Sequence, residues 1–502
     1  MLALIWLFRH ILAVYPRYFR LKCQLRVFRV GFSLIGYFWL VFLQRGRLGP
    51  LLATIERFLL ASNHFPLRCL QWIRFCIQAQ FLRLSEDTNA KAQVLDAKNF
   101  MLSQTMHTQG GPFFRDFKPS KRMKRLKPSG IRRFFALDKE LPDIINLSIG
   151  EPDFSPPKHA LEAACQAARE GKTHYEPTNG IPELREALAQ KAHHDYDLSY
   201  DADSEILITV GGTEALFLAG LSLVNPGEGV IIPNPGFVLY EPCALLAGGV
   251  PVFLPLLEEN DFKPYIRDVT SLVTDKSRVM ILNYPNNPTG AVLSYDEMAT
   301  LAKIAVERDL IVISDEVYEK IIYDTAKHYC MATFQGMRER TLVVNSFSKT
   351  YAMTGLRVGY VYGPKELISE LWLAHQYTVA CVNSISQYAA LAALRGPQDF
   401  VSDTKREFDR RRQLVYKRLN EINGFKCRLP KGAFYIFPNI KAFKMSSEQF
   451  AEYLLKEAHV ATVPGFAFGS YGEGYIRISY AASYEQLGEA LDRIEKAVKK
   501  LR

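Results

Sequence analysis

The chain is expected to fold as an α/β protein, with helices packed over a large, mainly parallel seven-stranded sheet and a smaller α+β part at the C-terminal end. Three observations lead there. From Leu147 onward, short apolar runs alternate with longer helix-like stretches, the pattern of strands joined by covering helices. The runs are nearly continuous in β-branched and other apolar residues, as strands buried on both faces require. Polar clusters follow five of the runs, and open α/β sheets bind ligands beyond the carboxyl ends of their strands.

In chain order the strands are expected at Ile206–Val210, Val230–Pro233, Pro251–Leu254, Val279–Asn283, Leu310–Ser314, Thr341–Asn345 and Val358–Tyr362. Helices are expected over Glu214–Leu223, Tyr240–Ala247, Tyr295–Arg308 and Pro364–Gln376. Further on, Gly432–Ile436 reads as a strand, and Ser446–Ala458 and Tyr484–Leu501 carry the apolar spacing of amphipathic helices. A chain of 502 residues is too long for one core, so at least two structural units are expected.

Charge is unevenly placed. Residues 1–140 hold 24 Lys or Arg against 7 Asp or Glu, a net of +17, whereas the remainder carries 38 against 45, a net of −7. The basic excess therefore belongs to an N-terminal extension and linker over 1–122, rich in Leu, Phe, Arg, Trp and Tyr up to about residue 85 and polar thereafter. Its longest uncharged apolar run, Val30–Leu43, is 14 residues, short of the roughly 20 that cross a bilayer. Arg9 and His10 interrupt the apolar start where a secretory signal would need continuity. Its Arg and aromatic residues suit contact at a membrane surface, but the favoured reading is a disordered segment or one outside the natural product, because Met106 and Met123 each precede the start of ordinary-looking sequence. No nucleic-acid partner is expected, since charge is the whole case for one and no recognition motif accompanies it. Eight cysteines are scattered without CxxC pairs, so neither a disulfide framework nor a metal site is indicated and a reducing cytoplasm is the expected compartment.

The polar clusters after the strands are Gly211-Gly212-Thr213-Glu214, Asn234-Pro235-Gly236-Phe237, Tyr284-Pro285-Asn286-Asn287-Pro288, Asp315 to Tyr318, and Ser346 to Lys349, and together they span 139 residues of chain. The last continues to Arg357 and sets one lysine and one arginine where a strand ends. A lysine there can hold an aldehyde as a Schiff base, and pyridoxal 5′-phosphate supplies that aldehyde together with a phosphate that Ser346 and Arg357 can bind. The Gly211-Gly212-Thr213 turn opening a helix offers backbone N–H groups to the phosphate. Asp315 can keep a pyridine nitrogen protonated, Asn287 and Tyr318 can donate to a phenolate oxygen, and Phe237 offers a flat face to the ring. Taken singly, each has a plainer reading: a glycine turn, a helix cap, a core tyrosine, a core aromatic.

Seven segments in order, Asn146–Phe154, His174-Tyr175, Val210–Leu216, Asn286–Gly290, Ser314–Tyr318, Ser346–Arg357 and Tyr475–Tyr480, resemble the class I and II aminotransferases of fold type I, particularly the branch with prokaryotic aspartate and aromatic aminotransferases. The resemblance runs from Leu126 to Leu501, about three quarters of the chain. It implies a fold type I transferase with a large cofactor-binding domain over 158–396 and a small domain assembled from 124–157 and 397–502. It further implies Lys349 as Schiff-base lysine, Asp315 as partner of the pyridine nitrogen, and Tyr318 with Asn287 at the phenolate oxygen. Phe237 would stack on the ring. Ser346, Arg357 and the Gly212-Thr213-Glu214 turn would hold the phosphate, with Tyr175 reaching the phosphate of a neighbouring subunit, which requires a homodimer. Arg477 would grip the substrate α-carboxylate, helped by the backbone at Gly150 and by Asn287.

The implied activity is transfer of an amino group from an L-amino acid to a 2-oxo acid, with Lys349 as base and then acid and with 2-oxoglutarate and glutamate as one pair. Aspartate and aromatic or broad donor specificity both remain open, since Thr213 stands where some aspartate-selective relatives carry lysine. Two other classes share the motifs: a lyase of the same fold acting on C–S or C–N bonds, and an aminotransferase-like transcription regulator whose basic extension would bind DNA.

Overall fold

Eight strands make the central sheet of the computed structural model, which describes residues 118–126 and 143–501. In chain order they are β2 (Ile206–Thr209), β3 (Gly229–Asn234), β4 (Val250–Leu257), β5 (Lys263–Pro264), β6 (Ser277–Asn283), β7 (Ile311–Asp315), β8 (Thr341–Ser346) and β9 (Gly359–Tyr362), following a short β1 (Ile145–Asn146) that lies outside this sheet. The spatial order is β2-β9-β8-β7-β6-β3-β4-β5. Pairings β3/β4, β3/β6, β6/β7 and β7/β8 are parallel, while β9 runs antiparallel to both β2 and β8. Each of the seven expected runs is a strand; the eighth, β5, is a two-residue edge too short to read from sequence.

Period-two burial explains why the runs are continuously apolar. Leu207, Val230, Ile232, Val279, Ile281, Ile311, Ile313, Leu342, Val344 and Val361 pack into one core. Their alternate neighbours, Ile206, Ile208, Ile231, Met280, Leu282, Val312, Val343, Tyr360 and Tyr362, pack into the cores of the other face. Both faces are dry, so polar residues appear only where the strands stop.

The helices are α1 (Lys158–Arg169), α2 (Pro182–Tyr196), α3 (Gly211–Leu223), α4 (Tyr240–Ala247), α5 (Ile266–Leu272), α6 (Tyr295–Glu307), α7 (Phe347–Thr350), α8 (Lys365–Thr378), α9 (Ser384–Arg395), α10 (Asp399–Glu421), α11 (Ser447–Ala458) and α12 (Tyr484–Lys499). Capping boxes start α6, α11 and α12: Ser294, Ser446 and Ser483 each accept from the third helical N–H, whose Glu297, Gln449 or Gln486 side chain reaches back to the cap. Along α12, Leu487, Ala490, Leu491, Ile494, Ala497 and Val498 are buried, the i, i+3, i+4, i+7 stripe of a helix with one dry face. That stripe joins Leu147, Phe408, Val415, Phe450, Ile476 and Ile478 in a further core.

Gly432–Ile436 departs from the expected strand. Only Tyr435–Ile436 (β10) joins a sheet, against β13 (Ile476–Ser479), while Gly432 makes an isolated bridge to Ile322, because Ala433 between them has φ 56°, in the left-handed region that extended pairing excludes. Two further short strands, β11 (Val460–Ala461) and β12 (Val463–Pro464), pair with β1 and β13 respectively. Readings made for the extension up to residue 117, its membrane-surface, nucleic-acid and Met106 readings included, lie outside the described residues. Among the described residues, no helix is long and apolar enough to cross a membrane.

Candidate active site

Strands β2, β3, β6, β7 and β8 point the same way, so their carboxyl ends share one edge of the sheet. The five polar clusters therefore emerge side by side, although they span 139 residues of chain.

Lys349 sits in the single turn of α7, immediately beyond β8. The residue keeps some contact with solvent, but protein surrounds its amine. Nζ donates to the Gly150 carbonyl oxygen at 2.5 Å and lies 5.8 Å from the Phe434 ring centroid. Loss of solvation pushes the amine down to about 8, and repulsion from Arg477 and Arg357 works the same way against the opposing pull of Glu151 and Asp315. The result is an amine with a much larger neutral fraction near neutral pH than an exposed lysine has.

Asp315 is buried at the end of β7. Its Oδ2 accepts from the Tyr240 hydroxyl at 2.7 Å, while the Asn283 amide donates to its backbone oxygen at 3.0 Å. Burial pushes the carboxyl up to about 6 despite the stabilising Tyr240 bond. Phe237 is half-buried, its ring meeting Tyr240 edge to face at 5.8 Å. Tyr318 pairs hydroxyl to hydroxyl with Tyr435 at 2.8 Å.

Glu316 and Glu319, interleaved with Asp315 and Tyr318, enter a separate ion-pair network. Glu316 pairs with His328 at 2.7 Å and accepts from the Ser314 hydroxyl, and Glu319 pairs with Lys191 at 2.6 Å. These bonds fix the turn carrying Asp315 and Tyr318 from behind.

At the start of α3 a guanidinium comes close to a glycine turn. Gly211 has φ 71°, and a Cβ there would stand 2.7 Å from Arg357 Nη2, so the approach of the guanidinium requires glycine. Among the described residues, the Gly212 and Thr213 N–H groups meet no acceptor. Arg357 is exposed, with Nη1 donating to the Thr354 carbonyl oxygen at 2.8 Å. Ser346 Oγ, buried, lies 2.8 Å from Ser348 Oγ and 3.1 Å from the Val358 carbonyl oxygen, and accepts from the Ser348 N–H.

Arg477, on β13, is 2% exposed, yet no carboxylate pairs with it among the described residues. Nη1 donates to Asn287 Oδ1 at 3.0 Å and Nη2 to the Ser148 carbonyl oxygen at 2.6 Å, while Nε has no partner. The Tyr435 and Phe468 rings flank the guanidinium, with centroids 4.4 and 5.0 Å from Cζ. A buried cation with an unused donor and no counter-ion is an incomplete ion pair, and a carboxylate is the ligand that completes it.

Free N–H groups at a helix start, a nearby guanidinium, a neutral-leaning lysine, a buried carboxyl and an unpaired buried arginine fit pyridoxal 5′-phosphate and an amino-acid carboxylate. The structure brings together Gly150, Gly212, Thr213, Glu214, Asn287, Asp315, Tyr318, Ser346, Lys349, Arg357 and Arg477, with Phe237 beside them through Tyr240. Tyr175 stands apart, 89% exposed beside Cys381 and Asn383. Sequence reasoning missed Tyr240 and Tyr435, whose partners lie 75 and 117 residues away. It also missed Ser348, the partner of Ser346. A Ser-x-Ser spacing at a helix cap was the available signal for Ser348; nothing local marks the tyrosines.

The family model for aminotransferase class I and II matches residues 142–494. An aspartate aminotransferase of Pyrococcus abyssi is 49% identical over 383 residues, covering 76% of this chain and 98% of the relative. An aromatic-amino-acid aminotransferase of Thermococcus litoralis is 47% identical over 382 residues, with the same coverage of 76% and 98%. The crystal structure of an aromatic aminotransferase from Pyrococcus horikoshii superposes with a TM-score of 0.70 at 47% identity, covering 72% of this chain and 98% of that one.

Proposed function

This chain belongs to the class I and II aminotransferases of fold type I, pyridoxal 5′-phosphate-dependent enzymes that move an amino group between amino acids and 2-oxo acids, and on that premise we propose that it uses aspartate and aromatic amino acids as donors and 2-oxoglutarate as acceptor at the site around Lys349. The observation that carries the substrate reading is Arg477, a buried guanidinium whose free Nε and missing counter-ion suit the α-carboxylate shared by both donor classes. The rings of Tyr435 and Phe468 beside it give an aromatic side chain apolar company. Relatives named for aspartate and for aromatic amino acids are nearly equally similar to this chain, which supports breadth.

When bound, the cofactor supplies an aldehyde for the amine and an electron-withdrawing ring that acidifies the bond to the substrate α-carbon. The chain's own residues do the rest. The Gly212, Thr213 and Glu214 N–H groups, Ser346 and Arg357 would hold the phosphate. Asp315 would partner the ring nitrogen, Tyr318 and Asn287 the ring oxygen, and Phe237 the ring face. Arg477, with Asn287 and the Gly150 backbone, fixes the substrate carboxylate and thereby the direction of the bond to be broken. Lys349 Nζ, depressed to about 8 by its surroundings, is poised to take the α-proton as a neutral amine and return it as an ammonium.

The proposal includes a homodimer in which exposed Tyr175 meets the phosphate site of the neighbouring subunit, with exposed Tyr377 and Val379 in the contact. It also includes a large domain over 158–396, a small domain from 124–157 and 397–502, and a cytoplasmic setting. Helices α10 to α12 share a core drawn mainly from residues 408–498, which supports the domain division. Absorption spectra of protein purified with the cofactor, before and after glutamate, test the reading alongside Lys349→Ala and a donor panel with 2-oxoglutarate. A spectral shift and turnover with both donor classes, each lost in the variant, are the expected result. Turnover with neither donor class sinks the substrate assignment.

A further inference from the structure

We propose that His375 is a positioning residue for the phosphate-binding turn, acting through Glu214; this rests on the cofactor assignment above. His375 lies on α8 and is fully buried. Its Nδ1 is 2.9 Å from Glu214 Oε1, and its Nε2 has no hydrogen-bond partner. Glu214 lies in the first turn of α3, where its Oε2 accepts from the Val210 N–H at 2.5 Å. The Thr378 hydroxyl, 3.4 Å from Oε1, is a weaker second donor.

A carboxylate in the first turn of a helix competes for the N–H groups and positive end that a phosphate needs. Here the side chain turns back onto Val210, the residue before the turn, and leaves the Gly212 and Thr213 N–H groups without acceptors. His375 holds it there from the opposite side. A donor at Nδ1 directs its N–H toward Glu214 and leaves Nε2 buried without a partner, a cost that the packed helix retains. With an apolar side chain at 375, Glu214 Oε1 loses its close donor and the carboxylate is free to swing onto the phosphate N–H groups. Cofactor capture then weakens specifically through the phosphate.

Two aldehydes separate this from a general loss of structure. Pyridoxal 5′-phosphate and pyridoxal react with the same lysine, but only the first uses the α3 turn. The full chain, stripped of cofactor, is titrated with each by visible absorbance, as wild type and as His375→Leu, His375→Asn, Glu214→Ala and His375→Leu/Glu214→Ala. His375→Leu is expected to weaken capture of the phosphorylated aldehyde about tenfold, as for loss of one buried hydrogen bond to a charged group, with pyridoxal unchanged. His375→Asn, whose amide nitrogen replaces Nδ1, is expected to restore affinity. The double variant should be no weaker than either single one, because His375 acts only through Glu214.

Equal losses for both aldehydes, or no loss for either, overturn the proposal, as do additive effects in the double variant. If His375→Leu does not fold, His375→Ala, which also removes the donor to Glu214, carries the same comparison between the two aldehydes. A wild-type chain that captures neither aldehyde overturns the cofactor assignment itself, whereas wild-type capture with an insensitive His375 overturns only this proposal.

Discussion

The Tyr240 hydroxyl donates a 2.7 Å hydrogen bond to Asp315 Oδ2, and both side chains are buried. Burial drives the Asp315 carboxyl up to about 6, and this bond is the largest force opposing it. Tyr240 thus keeps Asp315 more ionised at neutral pH than its apolar surroundings favour. Tyr240→Phe removes the donor and raises the Asp315 pKa further. The expected outcome is a loss of about tenfold in kcat/KM near pH 7, with the acidic limb of the pH–rate profile moved to higher pH. An unmoved profile would show that Tyr240 only fills space.

Asp315 should destabilise the cofactor-free protein at neutral pH. Its folded pKa of about 6 lies above the ordinary carboxyl value, so the folded state binds the extra proton, and the stability it contributes is full at low pH and lost as pH rises through about 6. Asp315→Asn cannot ionise. Its advantage in thermal unfolding should be absent below about pH 4, grow between about pH 4 and 6, and level off above that at no more than about 3 kcal/mol, while transamination collapses. A variant less stable than wild type at pH 7 refutes this.

Lys349 should capture the cofactor as its neutral amine. Because the surroundings hold its pKa at about 8, the second-order rate of colour development in cofactor-free protein should rise with pH and level off above about 8. A rate still climbing beyond pH 9 would mean that the lysine titrates like an exposed one.

Arg477→Lys retains the charge but loses the planar fork, and with it the paired bonds to Asn287 and Ser148. The expected loss is about a hundredfold in kcat/KM for every donor, read chiefly in KM, with the cofactor spectrum unchanged. Donor-dependent losses would place Arg477 at the side chain rather than the α-carboxylate.

The central sheet was legible because its strands are dry on both faces, so Val230–Pro233 and Val279–Leu282 appear as unbroken apolar runs. Edge strand Lys263–Pro264 was not, since two residues of backbone pairing leave no pattern. Gly432–Ile436 misled because its composition suits a strand while Ala433 turns left-handed. At the site, residues in the polar clusters declared themselves by position at strand ends. Tyr240, Tyr435 and His375 did not, because each acts through a partner that only folding brings near, and to sequence each is one more core side chain.

Apart from Asn287, which is assigned to both, the proposed carboxylate grip and the proposed cofactor cradle come from different stretches of chain. Gly150 and Arg477 flank the sheet in sequence, whereas every group assigned to the phosphate and ring within this chain lies between Gly211 and Arg357. An ancestral chain could revise its two outer segments, and with them its hold on the substrate carboxylate, while inheriting the colour-bearing interior intact. On that assignment the architecture separates what is held permanently from what is exchanged at each turnover.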